Sequence, residues 1–258
     1  MFISHTSSIP SPKKIISLVP SISELLYHLN LDKETIGITK FCIHPFSWKQ
    51  SKQKVGGTKN INIQKIIELS PDLIICNKEE NVKEQVEEIA KFFPVYLSDV
   101  NSYESALQMI EKVGEITGRK IEAENIVKKI ITNFEDELFT ITKNKRVAYL
   151  IWKDPYMTVG GDTFINDMLE KIGLINIYNN EKRYPKITIQ EVQQAKPDVI
   201  LLSSEPYPFK EKHIAELKNH FSESHILLAD GEMFSWYGSR MLLMPAYFKK
   251  LLLEIEKS

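Results

Sequence analysis

The chain has 258 residues, of which 43% are apolar and 26% charged, values typical of a soluble globular protein with one or two domains. Its 33 Lys and Arg residues nearly balance its 34 Asp and Glu residues, which disfavours nucleic acid or an anionic membrane as a partner. The only cysteines, Cys42 and Cys76, are too few for a disulfide framework or a CxxC metal motif.

No targeting or membrane segment is predicted. Residues 1–9 lack the basic region and the apolar stretch of a secretory signal peptide. No window approaches 18 consecutive apolar residues, the length needed for a transmembrane helix.

Short apolar runs alternate with helical patterns along the chain. The first run, at 15–21, ends in Pro20-Ser21 and is followed by apolar residues at helical spacing, which predicts strand, turn and helix. Similar runs predict strands at 35–41, 72–78, 94–100, 146–152, 198–204 and 225–231. This alternation predicts an α/β protein with parallel sheets and helical crossovers.

An internal repeat divides the chain. IQKIIELSPDLIIC at 63–76 matches IQEVQQAKPDVILL at 189–202, so the second copy starts 126 residues after the first. Each copy predicts a helix that ends before a proline, a turn at Asp72 or Asp198, and a buried strand. The offset is too long for a solenoid repeat and favours two duplicated lobes. The alternative is that helix, Pro-Asp and strand form a common α/β connector.

A long helical region separates the two copies. Ala106–Thr117 and Lys120–Thr142 have helical patterns on either side of Gly118. The second places four apolar residues along one face: Ile126, Ile130, Phe134 and Leu138. A helix of about 20 residues spans roughly 30 Å, enough to brace two domains and keep the cleft between them stiff. We therefore predict an N-terminal α/β lobe at 1–101, bridging helices at 102–144 and a C-terminal α/β lobe at 145–258.

Five segments, taken in order, resemble the helical-backbone (class III) periplasmic binding proteins of ABC transporters. They are KKIISLVPSISELLYHL, VGGTKNINIQKIIELSPDLII, the bridging helix, RVAYLIW with YMTVGGDTFINDMLEKIGLINIY, and TIQEVQQAKPDVILL. The resemblance covers nearly the whole chain and is greatest to the cobalamin-binding branch. It implies two Rossmann-like lobes with parallel sheets, joined by a long backbone helix, with a ligand in the interlobe cleft.

The resemblance also implies a function. It is that of a periplasmic, monomeric, non-enzymatic protein that binds cobalamin, or else haem or a ferric siderophore, and delivers it to an ABC transporter permease. No intrinsic cofactor or metal site is expected. Aromatic residues in the loops after the strands suit a flat macrocycle, because each ring offers a large contact area at little entropic cost. The candidate ligand-binding residues are Phe41, His44, Trp48, Trp152, Tyr156, Tyr207, Phe234, Trp236, Tyr237 and Arg240.

Several candidates have a second interpretation. Each aromatic could instead fix its loop to its own lobe. His44 could contact a metal or the ligand, or could cap a turn or face solvent. Arg240 could hold a ligand oxygen, or could pair with Glu232 at a helix start. The Gly160-Gly161 turn predicts a helix N-cap at Asp162 or Thr163.

The chain departs from the cobalamin branch at the transporter docking surface. That branch presents a glutamate at the start of the helix before each Pro-Asp, and Gln64 and Gln190 occupy these positions here. Glu68 or Glu191 could substitute for them. Together with the missing signal peptide, this leaves a non-exported, cytoplasmic buffer or sensor of a corrinoid or metal chelate as an alternative. A two-lobed metallocofactor enzyme ranks last, because the sequence lacks clustered Cys or His ligands.

Overall fold

The computed structural model of the chain describes residues 11–137 and 144–257. The chain divides into two compact units, and each contains one parallel sheet with helical crossovers. Unit 1 comprises the residues up to Val100 together with Glu104–Ile131 and Tyr237–Arg240. Unit 2 comprises Asn101–Tyr103, Thr132–Trp236 and the residues from Met241 onward.

The sheet of unit 1 has five parallel strands in the order β3-β2-β1-β4-β5. The central strand β1 and its neighbour β4 are buried along their whole length, as expected where helices cover both faces of a parallel sheet. The elements in chain order are β1 (Ile15–Ser17), α1 (Pro20–His28), β2 (Thr35–Ile38), α2 (Phe46–Ser51), β3 (Gln53–Lys54), α3 (Ile63–Leu69), β4 (Leu73–Asn77), α4 (Lys83–Ile89) and β5 (Val95–Ser98).

Two longer helices follow, α5 (Tyr103–Thr117) and α6 (Lys120–Asp136). They are separated at Gly118, as predicted, where φ is +71° and a side chain would be strained. A Cβ atom at Gly118 would also lie 2.4 Å from the Ser11 hydroxyl. The predicted end of the second helix, at Thr142, and the predicted contact of Leu138 fall outside the described residues.

The sheet of unit 2 has four parallel strands in the order β7-β6-β8-β9. The elements in chain order are β6 (Arg146–Leu150), α7 (Phe164–Lys171), β7 (Ile175–Asn176), α8 (Ile189–Ala195), β8 (Val199–Ser203), α9 (Glu211–Lys218), β9 (His225–Ala229), α10 (Glu232–Ser235), a 3-10 turn (Ser239–Leu242) and α11 (Met244–Glu256). None of the helices in the described ranges combines the length and the apolarity that crossing a bilayer requires.

Each unit has its own apolar core, built from strand residues and the helices packed on them. In unit 1 the core includes Ile16, Ile74 and Val95 from the strands with Ile66 from α3 and Ile89 from α4. In unit 2 it includes Ala148, Ile200 and Ile226 from the strands with Val192 from α8 and Leu217 from α9. Burial of such side chains is the main favourable term that stabilises each unit.

The two copies of the sequence repeat have the same local structure. Helices α3 and α8 each have seven residues, and each ends in a residue with left-handed backbone geometry, Ser70 (φ 48°) or Lys196 (φ 47°). Asp72 then accepts hydrogen bonds from the Lys13 and Lys14 backbone N–H groups, and Asp198 accepts one from Arg146 N–H. Each aspartate thus fastens its connector to the start of the first strand of its own unit. The predicted equivalence of the two Pro-Asp connectors is confirmed.

Candidate functional site

The strand order of each sheet creates one crevice at its carboxyl end. In unit 1, β1 lies between β2 and β4, and in unit 2, β6 lies between β7 and β8. In unit 1 the chain crosses from β1 to one side of the sheet and later returns to β4 on the other side, and in unit 2 it does the same around β6. The loop after β1 therefore diverges from the loop after β4, and the loop after β6 diverges from the loop after β8. Ligands of open parallel sheets usually bind at such points. We call the carboxyl ends of the strands, with their loops, the carboxyl edge of each unit.

Two asparagines fix the carboxyl edge of unit 1. The Asn81 side chain donates to the carbonyl oxygens of Leu18 (3.1 Å) and Thr58 (3.0 Å) and accepts from Asn77 N–H (2.9 Å). The Asn77 side chain in turn donates to Ser98 and accepts from the N–H groups of the loop after β4. Both asparagines are buried, so these bonds hold the loops after β1, β3 and β4 to one another and to the end of β5. Sequence reasoning missed this network, because its members are far apart in the chain.

Apolar side chains are exposed beside this network. The Phe41 and Phe46 rings are 51% and 67% exposed, and Ile43 lies between them in sequence and is also exposed. The Lys40 ammonium lies 5.1 Å from the centre of the Phe41 ring. Phe46 begins α2, so part of the segment predicted as a loop is helical. An apolar cluster of this kind at a carboxyl edge is typical of a binding surface.

Trp48 does not belong to this surface, contrary to its predicted contact with a ligand. Its side chain is only 1% exposed, and its indole N–H donates to Asp32 at 2.5 Å. The Tyr27 ring packs edge-on against it, and the Lys52 ammonium lies over its face. A hydrogen bond from Lys52, together with the one from Trp48, lowers the pKa of Asp32. Trp48 therefore fixes α2 to its own unit.

Three candidate aromatics lie at the carboxyl edge of unit 2. Trp152 follows β6 and is 39% exposed, and Tyr207 follows β8 and packs edge-on against it at 5.7 Å between ring centres. Tyr156 is half-buried and packs on the apolar core. A tight hairpin holds the loop after β6, because the backbones of Ile151, Trp152 and Met157 are hydrogen-bonded to one another. The structure therefore brings Trp152 and Tyr207 together on either side of the crevice.

A buried histidine supports these rings. His213 is 3% exposed, and its Nδ1 accepts from the Lys210 backbone N–H at 2.8 Å. This acceptor role assigns the ring proton to Nε2, which lies 3.4 Å from the Tyr207 hydroxyl. The Phe209 ring packs against both His213 and Tyr207. The spacing of His213 in the sequence gives no signal for this role, and its positioning of Tyr207 follows only from the structure.

Phe234 in α10 and Trp236 just after it have packing roles, which differ from the ligand contacts expected from the sequence. Phe234 is fully buried against Tyr149 and Phe248. Trp236 is 7% exposed and its indole N–H donates to the Glu205 carboxylate at 2.8 Å. Burial raises the pKa of Glu205, while hydrogen bonds from Ser235 and Trp236 act in the opposite direction.

Arg240 and Tyr237 are also buried. Arg240 forms a two-point ion pair with Glu24 of α1. Its predicted contact with a ligand oxygen stays a prediction. Tyr237 is 5% exposed, and Gly238 beside it has φ +102° and packs near Leu25.

The remaining candidates lie on the surface or in turns. His44 is half-buried next to Pro45, just before α2. Thr163, rather than Asp162, caps α7, because its hydroxyl accepts from Asn166 N–H. Across residues 11–137 and 144–257, no three His, Cys, Asp or Glu side chains are grouped as metal ligands would be.

Both glutamines predicted to dock on a transporter are exposed in the first turn of their helices. The Gln64 amide donates to Glu68 at 3.3 Å. Near Gln190, Glu191 is engaged in a capping box, in which its carboxylate accepts from the backbone and hydroxyl of Thr188. Glu191 is therefore a poor substitute for a docking glutamate, whereas Glu68 remains on the same face as Gln64, one helical turn away.

Known proteins are similar to this chain in sequence and in fold. A family model described as periplasmic binding protein matches residues 15–228. The ABC transporter substrate-binding lipoprotein YvrC of Bacillus subtilis is 30% identical over 201 residues, which are 74% of this chain and 63% of that protein. A vitamin B12-binding protein of Vibrio parahaemolyticus is 25% identical over 210 residues, covering 78% of this chain and 74% of the relative. A solved structure of a periplasmic heme binding protein from Pseudomonas aeruginosa has a TM-score of 0.82 at 16% identity, covering 96% of this chain and 94% of the other.

These matches agree with the two parallel-sheet units and confirm the predicted fold class. The family model extends from β1 into β9 and so includes both units. The chain therefore belongs to the periplasmic binding protein family and is a binding protein rather than an enzyme.

Proposed function

We propose that the protein binds a metal chelate with a broad apolar face, cobalamin in the first place and haem or a ferric siderophore as alternatives, for uptake by an ABC transporter. The observation that carries this proposal is the exposure of aromatic rings at the carboxyl edges. Phe41 and Phe46 provide this surface in unit 1, and Trp152 with Tyr207 provides it in unit 2.

A chelate suits these surfaces because its metal is already coordinated. Such a ligand needs contact area and a few polar groups from the protein rather than a set of metal ligands. Fully burying a large apolar side chain contributes about 1.5–3 kcal/mol, so several rings provide useful affinity. The Vibrio parahaemolyticus relative is named for binding vitamin B12, which supports cobalamin. The Pseudomonas aeruginosa protein of the same fold is named for binding heme, which supports haem as the alternative.

Delivery to a transporter forms the second part of the proposal. We expect Gln64 and Gln190, both exposed on equivalent helices, to contact the transporter through hydrogen bonds of their amides. The B. subtilis relative is named as a substrate-binding lipoprotein of an ABC transporter, which supports the same role outside the cytoplasmic membrane for this chain. The contacts would be weaker than glutamate–arginine pairs, because an amide lacks the charge that strengthens such bonds.

Calorimetric titrations with cyanocobalamin, hemin and ferrichrome test the proposal. We expect one of the three to bind and to quench tryptophan fluorescence, chiefly that of Trp152. Trp152→Ala should weaken binding by about 1–3 kcal/mol. Phe92→Ala is the matched control, since Phe92 is 58% exposed but lies between α4 and β5, away from the carboxyl edge. Absence of binding by all three ligands would overturn the proposed function.

A further inference from the structure

We propose that a cavity beside Phe41 is a subsite for an acidic group of the ligand, a carboxylate or a phosphate, held by Lys40. This inference rests on the proposed function, because it assigns a chemical class to the chelate that the carboxyl edge of unit 1 binds. The cavity has a volume of about 530 Å³. It is lined by Lys40, Gly56, Gly57, Asn60, Ile61, Asn62 and Ile63.

The cavity adjoins the exposed aromatic surface directly. Lys40 and Phe41 follow β2, and Gly56-Gly57 follows β3, so both loops leave neighbouring strands at the carboxyl edge. A Cβ atom at Gly57 would lie 3.1 Å from the Phe41 ring and 3.3 Å from the Lys40 side chain. A ligand lying on Phe41 would therefore have its periphery within reach of Lys40.

Lys40 is a cation without a counter-ion in the described part of the chain. Its ammonium makes no ion pair or hydrogen bond there, and its contact is with the face of the Phe41 ring. Other lysines that follow strands in the two units do have partners. Lys78, after β4, pairs with Asp99, and Lys153, after β6, pairs with Glu216.

The other polar groups of the cavity also favour an anion. Asn60 accepts from Gly57 N–H through its carbonyl at 2.8 Å, which fixes the turn, while its side-chain amide has no hydrogen-bond partner among the described residues. Among the described residues that line the cavity there is no carboxylate, and Lys40 is the one charged residue. An ammonium and an amide N–H group at one cavity are complementary to an anionic oxygen, and hydrogen bonds to charged groups are stronger than neutral ones.

The contribution of Lys40 to binding should be that of an exposed ion pair. Such pairs contribute at most about 1 kcal/mol, so we expect loss of Lys40 to weaken binding of an acidic chelate by about five-fold. The effect should decline with added salt, because the charges face solvent. An uncharged chelate should not be affected.

The test compares Lys40→Met, Lys40→Arg and the control Lys91→Met, which removes an exposed charge after α4. Binding of hemin and ferric citrate, which carry carboxylates, is measured beside that of ferrichrome, which has no carboxylate and no net charge. We expect Lys40→Met to weaken the binding of the acidic chelates and to reduce the salt dependence of their affinity. Lys40→Arg should keep most of the affinity, and Lys91→Met should bind each chelate with the affinity of the unmodified protein.

Failure of this inference can be told apart from failure of the proposed function. If an acidic chelate binds Lys40→Met as tightly as the unmodified protein, or if only ferrichrome binds, the acidic subsite is wrong while the proposed function stands. If none of these chelates binds and cyanocobalamin does not bind either, the proposed function fails. Protection of Lys40 from an amine-acylating reagent by phosphate or citrate, read by peptide mass spectrometry against Lys91, then decides the subsite on its own. Equal labelling with and without these anions would overturn it.

Discussion

The Arg240 guanidinium holds both carboxylate oxygens of Glu24, with Nε at 3.0 Å and Nη2 at 2.8 Å. Both side chains are buried, at 8% and 9% exposure. Glu24 lies on α1, and the two residues belong to unit 1, so the pair fastens the short segment Tyr237–Arg240 to that helix. Only arginine presents two parallel donors of this geometry.

Removal of one partner should destabilise the protein strongly. We expect Arg240→Met to lower the free energy of unfolding by about 3–5 kcal/mol, because it leaves a buried carboxylate without its partner. The double variant Glu24→Met/Arg240→Met should recover most of this loss, since neither charge remains. Urea denaturation measures both effects, and Lys83→Met, at the exposed pair with Glu87, is the control and should change stability by less than about 0.5 kcal/mol. A single Arg240 variant as stable as that control would contradict the prediction.

The Pro-Asp connectors should contribute to stability in both units. Asp72→Ala and Asp198→Ala each remove charge-assisted bonds to backbone N–H groups, so we expect losses of about 1.5–3 kcal/mol. Asp72→Ala should lower the free energy of unfolding more than Asp198→Ala, because it leaves two N–H groups without their acceptor rather than one. Hydrogen exchange at Lys14 and Arg146 should speed up in the respective variant. Glu223→Ala, at an exposed position, is the control, and equal exchange in all variants would show that the carboxylates do not fix the strands.

The repeat was predictable because its signals are local. Proline after a helical pattern and aspartate before an apolar run are recognisable within a few residues. Short apolar runs are equally local, and they predicted seven of the nine strands in residues 11–137 and 144–257. β3 and β7 were missed because two-residue strands, Gln53–Lys54 and Ile175–Asn176, show no alternation. α2 was read as loop because its six residues follow Pro45 and include no regular apolar spacing.

Glu205 should make stability depend on pH. Burial raises the pKa of its carboxyl, so the folded state favours the protonated form relative to the unfolded state. The stability this provides is complete below the ordinary glutamate pKa and is lost as the pH rises through the raised value. Glu205→Gln keeps an oxygen that can accept from Trp236 but cannot ionise. Unfolding measured between about pH 4 and 8 should therefore show the unmodified protein losing stability relative to Glu205→Gln as the pH rises. A difference that stays constant with pH would contradict this.

The candidate site was only partly predictable, because the local sequence does not show whether an aromatic ring in a loop is exposed or buried. The deciding partners are remote in sequence. Each buried side chain donates a hydrogen bond to a distant carboxylate. The pairs are Trp48 with Asp32, 16 residues away, Trp236 with Glu205, 31 residues away, and Arg240 with Glu24, 216 residues away. None of these pairs has a local signal. Trp152 has no such carboxylate partner among the described residues, and both it and Phe41 are exposed.

The support of Tyr207 by His213 leads to the last prediction. His213→Phe keeps an aromatic ring of similar size but removes the acceptor for Lys210 N–H and the hydrogen bond to Tyr207. Tyr207 should then hold Trp152 less firmly, so we expect acrylamide to quench Trp152 more strongly and the affinity for a bound chelate to fall several-fold. Trp48 and Trp236 are buried and contribute little to this quenching.

A loss of about 1 kcal/mol in stability should accompany these changes, as for one hydrogen bond at a helix start. His220→Phe makes the same substitution at an exposed position after α9 and should leave both quenching and affinity unchanged. His213→Asn, whose side-chain oxygen can again accept from Lys210 N–H, should restore stability without restoring the contact with Tyr207. If His213→Phe lowers stability but leaves Trp152 quenching and chelate affinity as they were, the histidine serves only the start of α9 and does not position the binding surface.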